Sequence, residues 1–446
     1  MSVYLDYNAT APMRPQALEV MQNLLGKPLN PSSAHSFGRE AKNYLENARK
    51  TIAEAISAFP NEIIFTATGT EANATALQSF PERRLLVSAI EHSSVLSHQC
   101  RHSREGGNLI MVNENGVVDL VDLEQKLASN PHLALVSIML ANNETGVIQP
   151  IAEVSAICKK YGALLHCDGV QAFGKIPVDF SLLGVDMLTI SAHKMGGAVG
   201  AAALVVRNNL TIKPLLIGGG QELRRRAGTE NIPAIVAFAK AVELIDLQQM
   251  QDLRNWHAEM EVLIEQAGGI IIGKDAQRLP NTSCIAMVLN SPSPCERGLG
   301  GGVVPEFPLS LREGIRVVPK FPLPLREGVR VVPEFPLPLR EGVRGWGSNQ
   351  LSLSPPPQPS PAGGEGEVRI VSNELQLMDF DLNGFAVSAG SACSSGRIEV
   401  SHVLKAMGLD DKIASSAIRI STGWNTKKEV LQSFSKQWLK LRQRLI

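Results

Sequence analysis

Between about residues 60 and 250, short apolar runs alternate with segments whose apolar residues recur at helical spacing. Ile151, Val154, Ile157, Cys158 and Tyr161 illustrate the helical spacing. Runs that are apolar along their whole length predict strands buried on both faces, as in a mostly parallel sheet covered by crossover helices. The candidate strands are 62–66, 84–89, 133–139, 163–168, 186–191 and 201–206.

The pattern changes beyond residue 255 and predicts two domains in an α/β protein. Residues 14–255 form a large domain around the mostly parallel sheet, closed by a long helix from Ile232 to Met250. Residues 1–13 and 256–446 form a smaller α+β domain. The latter contains a strand at 284–289 and helices near 256–266, 400–408 and 427–445.

A repeated segment interrupts the smaller domain. Three near-identical units of the type VVPEFPLPLREGVR occupy 303–316, 317–330 and 331–344, and a proline-rich stretch follows. Because proline fixes φ and lacks an N–H donor, we expect residues 291–368 to be an extended or disordered insertion. A docking site for a partner's aromatic groove is one interpretation. A repetitive insertion tolerated by the fold is favoured, since loop-closure cost grows only logarithmically with length.

Charge and composition narrow the functional classes. Lys+Arg and Asp+Glu each total 43, so no excess positive charge predicts nucleic-acid or membrane binding. The N-terminus shows neither a basic region nor an apolar core, and no uncharged run is long enough to span a bilayer, which predicts a cytoplasmic protein. Six cysteines without a C-x-x-C pair fit neither a disulfide framework nor a structural zinc site.

Polar residues follow the predicted strands, at the sheet edge where ligands of such folds bind. Each has an ordinary structural interpretation as a helix cap, turn residue or satisfied histidine. A phosphate would suit the helix start at the first two residues, and a cationic partner would suit the buried aspartate. The residues are Gly69 and Thr70, His92, Asn142 and Asn143, Asp168 and Gln171, and Ser191, His193 and Lys194.

Lys194 lies in a tight glycine-containing turn at the end of a buried strand. A snorkelling surface lysine is the alternative, but desolvation here would lower the pKa of the amine and favour covalent bonding to a carbonyl. A lysine, an acidic partner and a phosphate site together match the requirements of pyridoxal 5'-phosphate (PLP).

The motifs resemble those of the cysteine desulfurases, fold-type I PLP enzymes similar to class V aminotransferases. YLDYNATAP, NPSSAHSFGR, TATGTEANATAL, EHSSVL, NNETGVIQPI, HCDGVQAFGK, SAHKMGG, GGGQELRRRAGTEN, NTSCIAM, SAGSACSSG and IRISTGWNT carry the resemblance. It covers the chain except for about 291–368. The resemblance implies a PLP-dependent transferase-like fold and a homodimer.

The resemblance also implies roles for individual residues. Lys194 bonds covalently to PLP, Asp168 pairs with the pyridine nitrogen, and His92 stacks on the ring and moves protons. Arg419 would take the substrate carboxylate through its bidentate fork, with a surface ion pair as the alternative. The remaining expected cofactor contacts are Gly69, Thr70, Asn143 (also near the substrate), Gln171, Ser191, His193 and, from the partner subunit, Thr229.

Cys393 lies in a stretch of small residues and serines, which suits a mobile nucleophile. The resemblance implies that it takes sulfur from L-cysteine as a persulfide, leaving L-alanine, and passes it to an iron–sulfur scaffold or a sulfur acceptor for tRNA or cofactor thiolation. No metal site is expected in the chain itself, apart from a cluster shared through Cys393 with a scaffold. Two alternatives stay open: a selenocysteine lyase or other class V enzyme, and an insertion-damaged partner-binding protein without activity.

Overall fold

The structure is a computed structural model that describes residues 2–102, 108–130, 132–289, 369–390 and 400–446 of the chain. Side chains are described for these residues except 99–102. Cys393 and the predicted insertion at 291–368 lie outside the described residues.

The elements that precede residue 245 are the larger group. They are β1 (Val3–Tyr4), α1 (Pro15–Gln22), α2 (Ser36–Ala55), β2 (Ile63–Thr66), α3 (Gly69–Gln78), β3 (Arg84–Ser88), α4 (Ser93–His102), β4 (Leu109–Ile110), α5 (Leu120–Ala128), β5 (Ala134–Met139), α6 (Ile151–Lys160), β6 (Leu164–Asp168), α7 (Phe180–Leu183), β7 (Met187–Ser191), β8 (Ala202–Val206) and α8 (Ile232–Glu243).

The second group follows residue 245. It consists of α9 (Leu247–Gln266), β9 (Ile270–Ile271), β10 (Thr282–Ala286), β11 (Val288–Leu289), β12 (Arg369–Ile370), α10 (Asn373–Leu382), β13 (Phe385–Ala386), β14 (Ser388–Ala389), α11 (His402–Ala406), α12 (Asp411–Ser416), β15 (Ala417–Ser421) and α13 (Lys428–Leu445).

A seven-stranded sheet with the order β2-β8-β7-β6-β5-β3-β4 organises the larger group. Neighbours from β7 to β4 are parallel, whereas β8 runs antiparallel to both β7 and β2. Strands β2, β5, β7 and β8 are buried along their whole length, which is why the sequence shows them as continuous apolar runs. The predicted fold class is confirmed, and the C-terminal ends of β2, β3, β5, β6 and β7 share one edge.

A four-stranded antiparallel sheet with the order β14-β15-β10-β9 forms the second layer. Trp438 and Phe434 from α13 and Phe380 from α10 are fully buried in its core cluster. The N-terminus reaches this region, because β1 pairs with β13 and Asp6 bridges to Ser421. These pairings agree with the assignment of residues 1–13 to a small domain, a division that stays a prediction.

The long helix predicted from Ile232 to Met250 is wrong. The segment contains two helices, with α8 ending at Glu243 and α9 beginning at Leu247. The Asp246 carboxylate caps α9 by accepting hydrogen bonds from the main-chain N–H groups of Gln248 and Gln249. The helix predicted from Trp256 is therefore the continuation of α9.

The chain on either side of the predicted insertion is joined by a pair of short strands. Val288 of β11 is paired with Ile370 of β12, and Leu289 with Arg369, in antiparallel register. The main chain of Val371 also donates to Met287. The described residues that flank the insertion are thus held side by side, as a loop inserted into a hairpin would be.

Candidate active site

The polar residues predicted from strand ends lie at one edge of the large sheet. Parallel strands bring their C-terminal ends together, so residues distant in sequence become neighbours. Asp168 ends β6 and Ser191 ends β7, and His193 and Lys194 follow in a single 3₁₀ turn.

Lys194 reaches the N-terminal segment of the chain. Its Nζ donates to the main-chain oxygens of Asn8 and Ala9, at 2.7 Å each. The main chain of Ala11 also donates to the carbonyl of His193 at 2.7 Å, which fixes the two segments together. The amine is therefore held at the sheet edge and is not a snorkelling surface charge.

Asn8 is almost completely buried and connects this edge to the small sheet. Its Nδ2 donates to Thr282 of β10 at 2.9 Å and to the main-chain oxygen of Asn143 at 3.2 Å. Its main-chain oxygen also accepts from the amide of Gln171 at 2.9 Å. Sequence reasoning gave Asn8 no role, although it lies within YLDYNATAP.

Asp168 is buried, and each of its carboxylate oxygens accepts one hydrogen bond. Its Oδ2 accepts from Asn73 Nδ2 at 2.7 Å, and its Oδ1 accepts from the main chain of Val170 at 3.0 Å. Among the described residues no ion pair is formed by this carboxylate. Asn73 itself is buried on α3 and also donates to Ser94 at 2.9 Å. A buried carboxylate without a salt bridge fits the predicted need for a cationic partner.

His92 lies just after β3, close to Asp168 and Lys194. Its Nδ1 accepts from the main-chain N–H of Ser94 at 3.1 Å, so a proton on the neutral ring resides on Nε2. Burial lowers the pKa of His92, Asp168 opposes this, and the positive charge of Lys194 adds to it. A neutral imidazole at this position can accept a proton.

The start of α3 provides main-chain donors at the same edge. Gly69 and Thr70 are its first two residues, and the Thr68 side chain caps the helix by accepting from Glu71 N–H at 3.1 Å. The first N–H groups of a helix have no partners within it, which suits an anion. A Cβ on Gly69 would lie 3.1 Å from the Val170 side chain, so the turn is tight.

His193 contacts the N-terminal segment, with its Nδ1 3.2 Å from Thr10 Oγ1. Burial, with Lys194 and Lys175 nearby, lowers the pKa of His193 to about 4. The imidazole is therefore neutral at physiological pH and contributes hydrogen bonds rather than charge. Ser191 is buried beside it at the end of β7.

Arg419 approaches from β15 of the small sheet. It is 3% exposed. Its Nη1 donates to the main-chain oxygen of Asn143 at 2.9 Å, and its Nη2 pairs with Asp6. Its buried Nε has no hydrogen-bond partner within the described residues. A surface ion pair was the alternative prediction for Arg419, but the guanidinium of the observed pair is buried and lies beside Asn143 rather than on the surface.

Two buried carboxyl groups flank this edge, and the sequence analysis missed both. Glu91 precedes His92, and burial raises its pKa to about 8. Its Oε1 accepts from Ser88 and from the main chain of Met139, and its Oε2 has no partner among the described atoms. Glu144 accepts from Ser401 at 2.6 Å, and burial raises its pKa as well.

Three cysteines, Cys158, Cys167 and Cys284, have described side chains, and all three are buried. Burial raises the pKa of the Cys158 and Cys284 thiols to about 12 and raises that of Cys167 well above its usual range. A thiol with such a pKa is not a thiolate at neutral pH, which supports their interpretation as packing residues. Cys393, the predicted nucleophile, lies outside the described residues.

Thr229 stands apart from this network. It is exposed and lies between Gly228 and the buried Glu230. Within the described residues, the hydrogen bonds around Asn8 do not include it. Its predicted contact with the cofactor of a partner subunit stays a prediction.

The donor set fits PLP. The start of α3 offers N–H groups for a phosphate, Asp168 is a buried carboxylate without an ion pair among the described residues, and Lys194 supplies an amine at the same edge. When bound, PLP supplies an electron sink for negative charge on the substrate carbon next to the amino group.

Comparison with known proteins agrees with this geometry. The family model for class V aminotransferases matches residues 3–294. The cysteine desulfurase IscS of Dictyoglomus turgidum is 34% identical over 96% of this chain and 91% of its own. The cysteine desulfurase of Cereibacter sphaeroides is 34% identical over 96% of this chain and 92% of its own.

A solved structure, that of the NifS-like protein of Rickettsia africae, is 32% identical, with a TM-score of 0.75 over 99% of both chains. Fold, motifs and matches define the class, a PLP-dependent enzyme of the class V aminotransferase type. Within that class, the chain belongs to the cysteine desulfurase family. The predictions of PLP as cofactor and of a cysteine desulfurase are confirmed. Within the described part of the chain, no helix is long and apolar enough to cross a membrane.

Proposed function

We propose that the chain takes L-cysteine at the edge formed by Lys194, Asp168 and Arg419 and transfers its sulfur to Cys393. The observation that carries this proposal is a chain of hydrogen bonds between the amine and the guanidinium. Lys194 donates to the oxygen of Asn8, Asn8 donates to the oxygen of Asn143, and Arg419 donates to that same oxygen. These hydrogen bonds connect the amine that would bond to the cofactor with the guanidinium that would bind a carboxylate. An amino acid substrate requires both groups.

The residues of the candidate site each have a role in the proposed reaction. The guanidinium of Arg419 binds the substrate carboxylate, for which its unpartnered Nε–H is suited. The Lys194 amine removes the proton from the α carbon of cysteine, and Asp168 stabilises positive charge on the cofactor ring. Gly69, Thr70, Ser191 and His193 would hold the phosphate of PLP, and Gln171 and Asn143 would lie near its ring oxygen.

The sulfur transfer step balances without an external oxidant. The Cys393 thiolate attacks the substrate sulfur, and a sulfur–sulfur bond forms as the bond between that sulfur and the β carbon breaks. The electron pair of the broken bond remains on the β carbon, where a proton completes the methyl group, and the proton that Lys194 removed returns to the α carbon to give alanine. His92, with its lowered pKa, exchanges protons at this site.

The wider setting is proposed from the family. The active unit is a homodimer in which Thr229 reaches the partner subunit's cofactor, and its exposure leaves it available for that contact. The persulfide passes to an iron–sulfur scaffold or to an acceptor that thiolates tRNA or a cofactor. A cytoplasmic location is part of the same proposal.

Two alternatives from the sequence analysis stay open. A protein damaged by the insertion would keep the fold but release no alanine. The pairing of β11 with β12 favours an intact enzyme, because the residues next to the insertion keep a regular register. A selenocysteine lyase would use the same lysine and aspartate.

The test uses the full-length chain and two variants. Lys194→Ala is expected to lose the covalently held cofactor, measured by absorbance and by mass after reduction. Cys393→Ser is expected to keep the cofactor but to release neither alanine nor sulfide from cysteine in a reducing assay. Normal turnover by Cys393→Ser would overturn the assignment of the nucleophile. A cofactor retained on another lysine would overturn that of Lys194.

A further inference from the structure

A second buried lysine, Lys175, lies next to Lys194 and has no role in the reaction described above. It is 5% exposed. Its Nζ donates to Asn8 Oδ1 at 2.7 Å and to Gln171 Oε1 at 2.8 Å, and both acceptors are uncharged amide oxygens. A lysine buried among neutral partners is costly, so its retention at this place needs a reason.

Asn8 receives both lysines. Its side-chain oxygen accepts from Lys175, and its main-chain oxygen accepts from Lys194. Any movement of Asn8 therefore moves one of the two oxygens that hold the Lys194 amine. Lys175 is the nearer of two donors to this side-chain oxygen, because Asn281 Nδ2 also donates to it at 3.3 Å.

The hydrogen bond from Lys175 also fixes the orientation of the Gln171 side-chain amide. Because Lys175 Nζ donates to Gln171, the atom of Gln171 facing it is Oε1, and Nε2 faces the main-chain oxygen of Asn8. The second proton of Nε2 stays available for another acceptor. An opposite rotation of the amide would place two donors against each other.

We propose that Lys175 is a positioning residue for Lys194, acting through Asn8 and Gln171 to hold the amine and to orient the Gln171 amide toward the cofactor. The inference rests on the proposed role of Lys194. Burial, together with the positive charges of Lys194 and Arg419, lowers the pKa of Lys175 well below its usual range.

The experiment compares Lys175→Met with the wild-type holoenzyme. Methionine is about as long as lysine but donates no hydrogen bond. Gln376→Met is the matched control, because Gln376 is fully buried in the small-sheet region and donates to the main-chain oxygens of Val371 and Ser416. The full-length chain is used in each case, and Lys175→Gln, which keeps an amide donor, serves if the methionine variant folds poorly.

Three readouts are expected to change in Lys175→Met. The kcat falls about tenfold or more while KM for cysteine stays within about twofold, since Arg419 is unchanged. The pH midpoint of the cofactor absorbance rises, because Lys175 orients the Gln171 donor toward the place of the ring oxygen, and such a donor would disfavour protonation at the Lys194 nitrogen. His92 and His193, whose pKa values are lowered by the charge of Lys194, are present in both proteins.

The third readout needs no cofactor. In cofactor-free protein, amide hydrogen exchange at residues 5–11 is expected to be faster in Lys175→Met, because the Asn8 side chain has lost one of its hydrogen bonds. Gln376→Met should leave this peptide and the absorbance midpoint unchanged. Mass analysis first establishes that the cofactor is on Lys194 in the wild type; if it is elsewhere, the proposed function fails. If it is on Lys194 and Lys175→Met matches the wild type in all three readouts, only this inference is overturned.

Discussion

Arg419 and Asp6 form a partly buried ion pair that joins the small sheet to the N-terminal segment. The residues are separated by 413 positions in sequence, and the Arg419 side chain is 4% exposed. The pair orients the guanidinium beside Asn143 and leaves Nε–H without a partner among the described residues. Because the carboxylate of Asp6 holds one edge of the fork, the position of the other donors is fixed before a substrate enters.

Replacing Arg419 with lysine is expected to raise KM for cysteine by about tenfold or more, because an ammonium group cannot pair with Asp6 and a substrate carboxylate in the same planar geometry. Steady-state kinetics measure the change. Arg278→Lys is the matched control, since Arg278 makes a bidentate pair with Glu261 of α9 rather than with a residue of the candidate site. An equal rise of KM in both variants would contradict a substrate role for Arg419.

Replacing Asp168 with asparagine is expected to lower kcat by about a hundredfold or more, because an amide does not stabilise a protonated ring nitrogen. The cofactor should still be bound through Lys194, as absorbance and mass would show. Asp186→Asn is the control: Asp186 accepts from the main chain of Leu165 near the beginning of the strands, not at their C-terminal edge. Full activity of Asp168→Asn would exclude the proposed pairing.

The sequence predicted most of the large sheet because its strands are buried along their length and appear as apolar runs. The two-residue strand Leu109–Ile110 was missed because it is too short to form a pattern. The break between α8 and α9 was missed for a different reason. Apolar spacing continues across it, and only Asp246, followed by a helical stretch, indicated a new cap.

The site was predictable where chemistry follows a strand end, as it does for Asp168 and Lys194. Asn8 and Lys175 were not assigned roles, although both lie in motifs that carry the resemblance. Their function depends on contacts that only the fold creates, such as the bond from Gln171 to Asn8 across 163 residues. Every residue has a main-chain oxygen, so the sequence does not indicate which of these oxygens accepts a hydrogen bond from a lysine.

Replacing residues 291–368 with a glycine–serine turn of about three residues is expected to leave alanine release within about twofold of the full-length rate and to keep or slightly raise the melting temperature; the turn is needed because Asn290 alone cannot connect the paired Leu289 and Arg369. The β11–β12 pair already holds the flanking residues together, and a shorter loop costs less entropy to close. Turnover assays and thermal unfolding measure both quantities. Removing 288–370, which includes the paired strands, should lower stability clearly. Loss of activity in the shorter deletion alone would point to a functional insertion.

Replacing Glu91 with glutamine is expected to make stability less dependent on pH. Burial raises the pKa of Glu91 to about 8 in the folded protein, so between its ordinary value and about 8 the unfolded chain releases a proton that the folded chain keeps. Folding therefore loses stability as pH rises through this window, by on the order of 1 kcal/mol per pH unit at most.

Glutamine resembles the protonated carboxyl group and can still accept from Ser88 and from Met139 N–H. The melting temperature of Glu91→Gln relative to the wild type should therefore increase from pH 5.5 to 7.5. Glu153→Gln, at an exposed position of α6, is the control and should show no such trend. A difference that is constant with pH would mean that Glu91 is ionised in the folded protein, and its unpartnered Oε2 would then require a cation or water at that point.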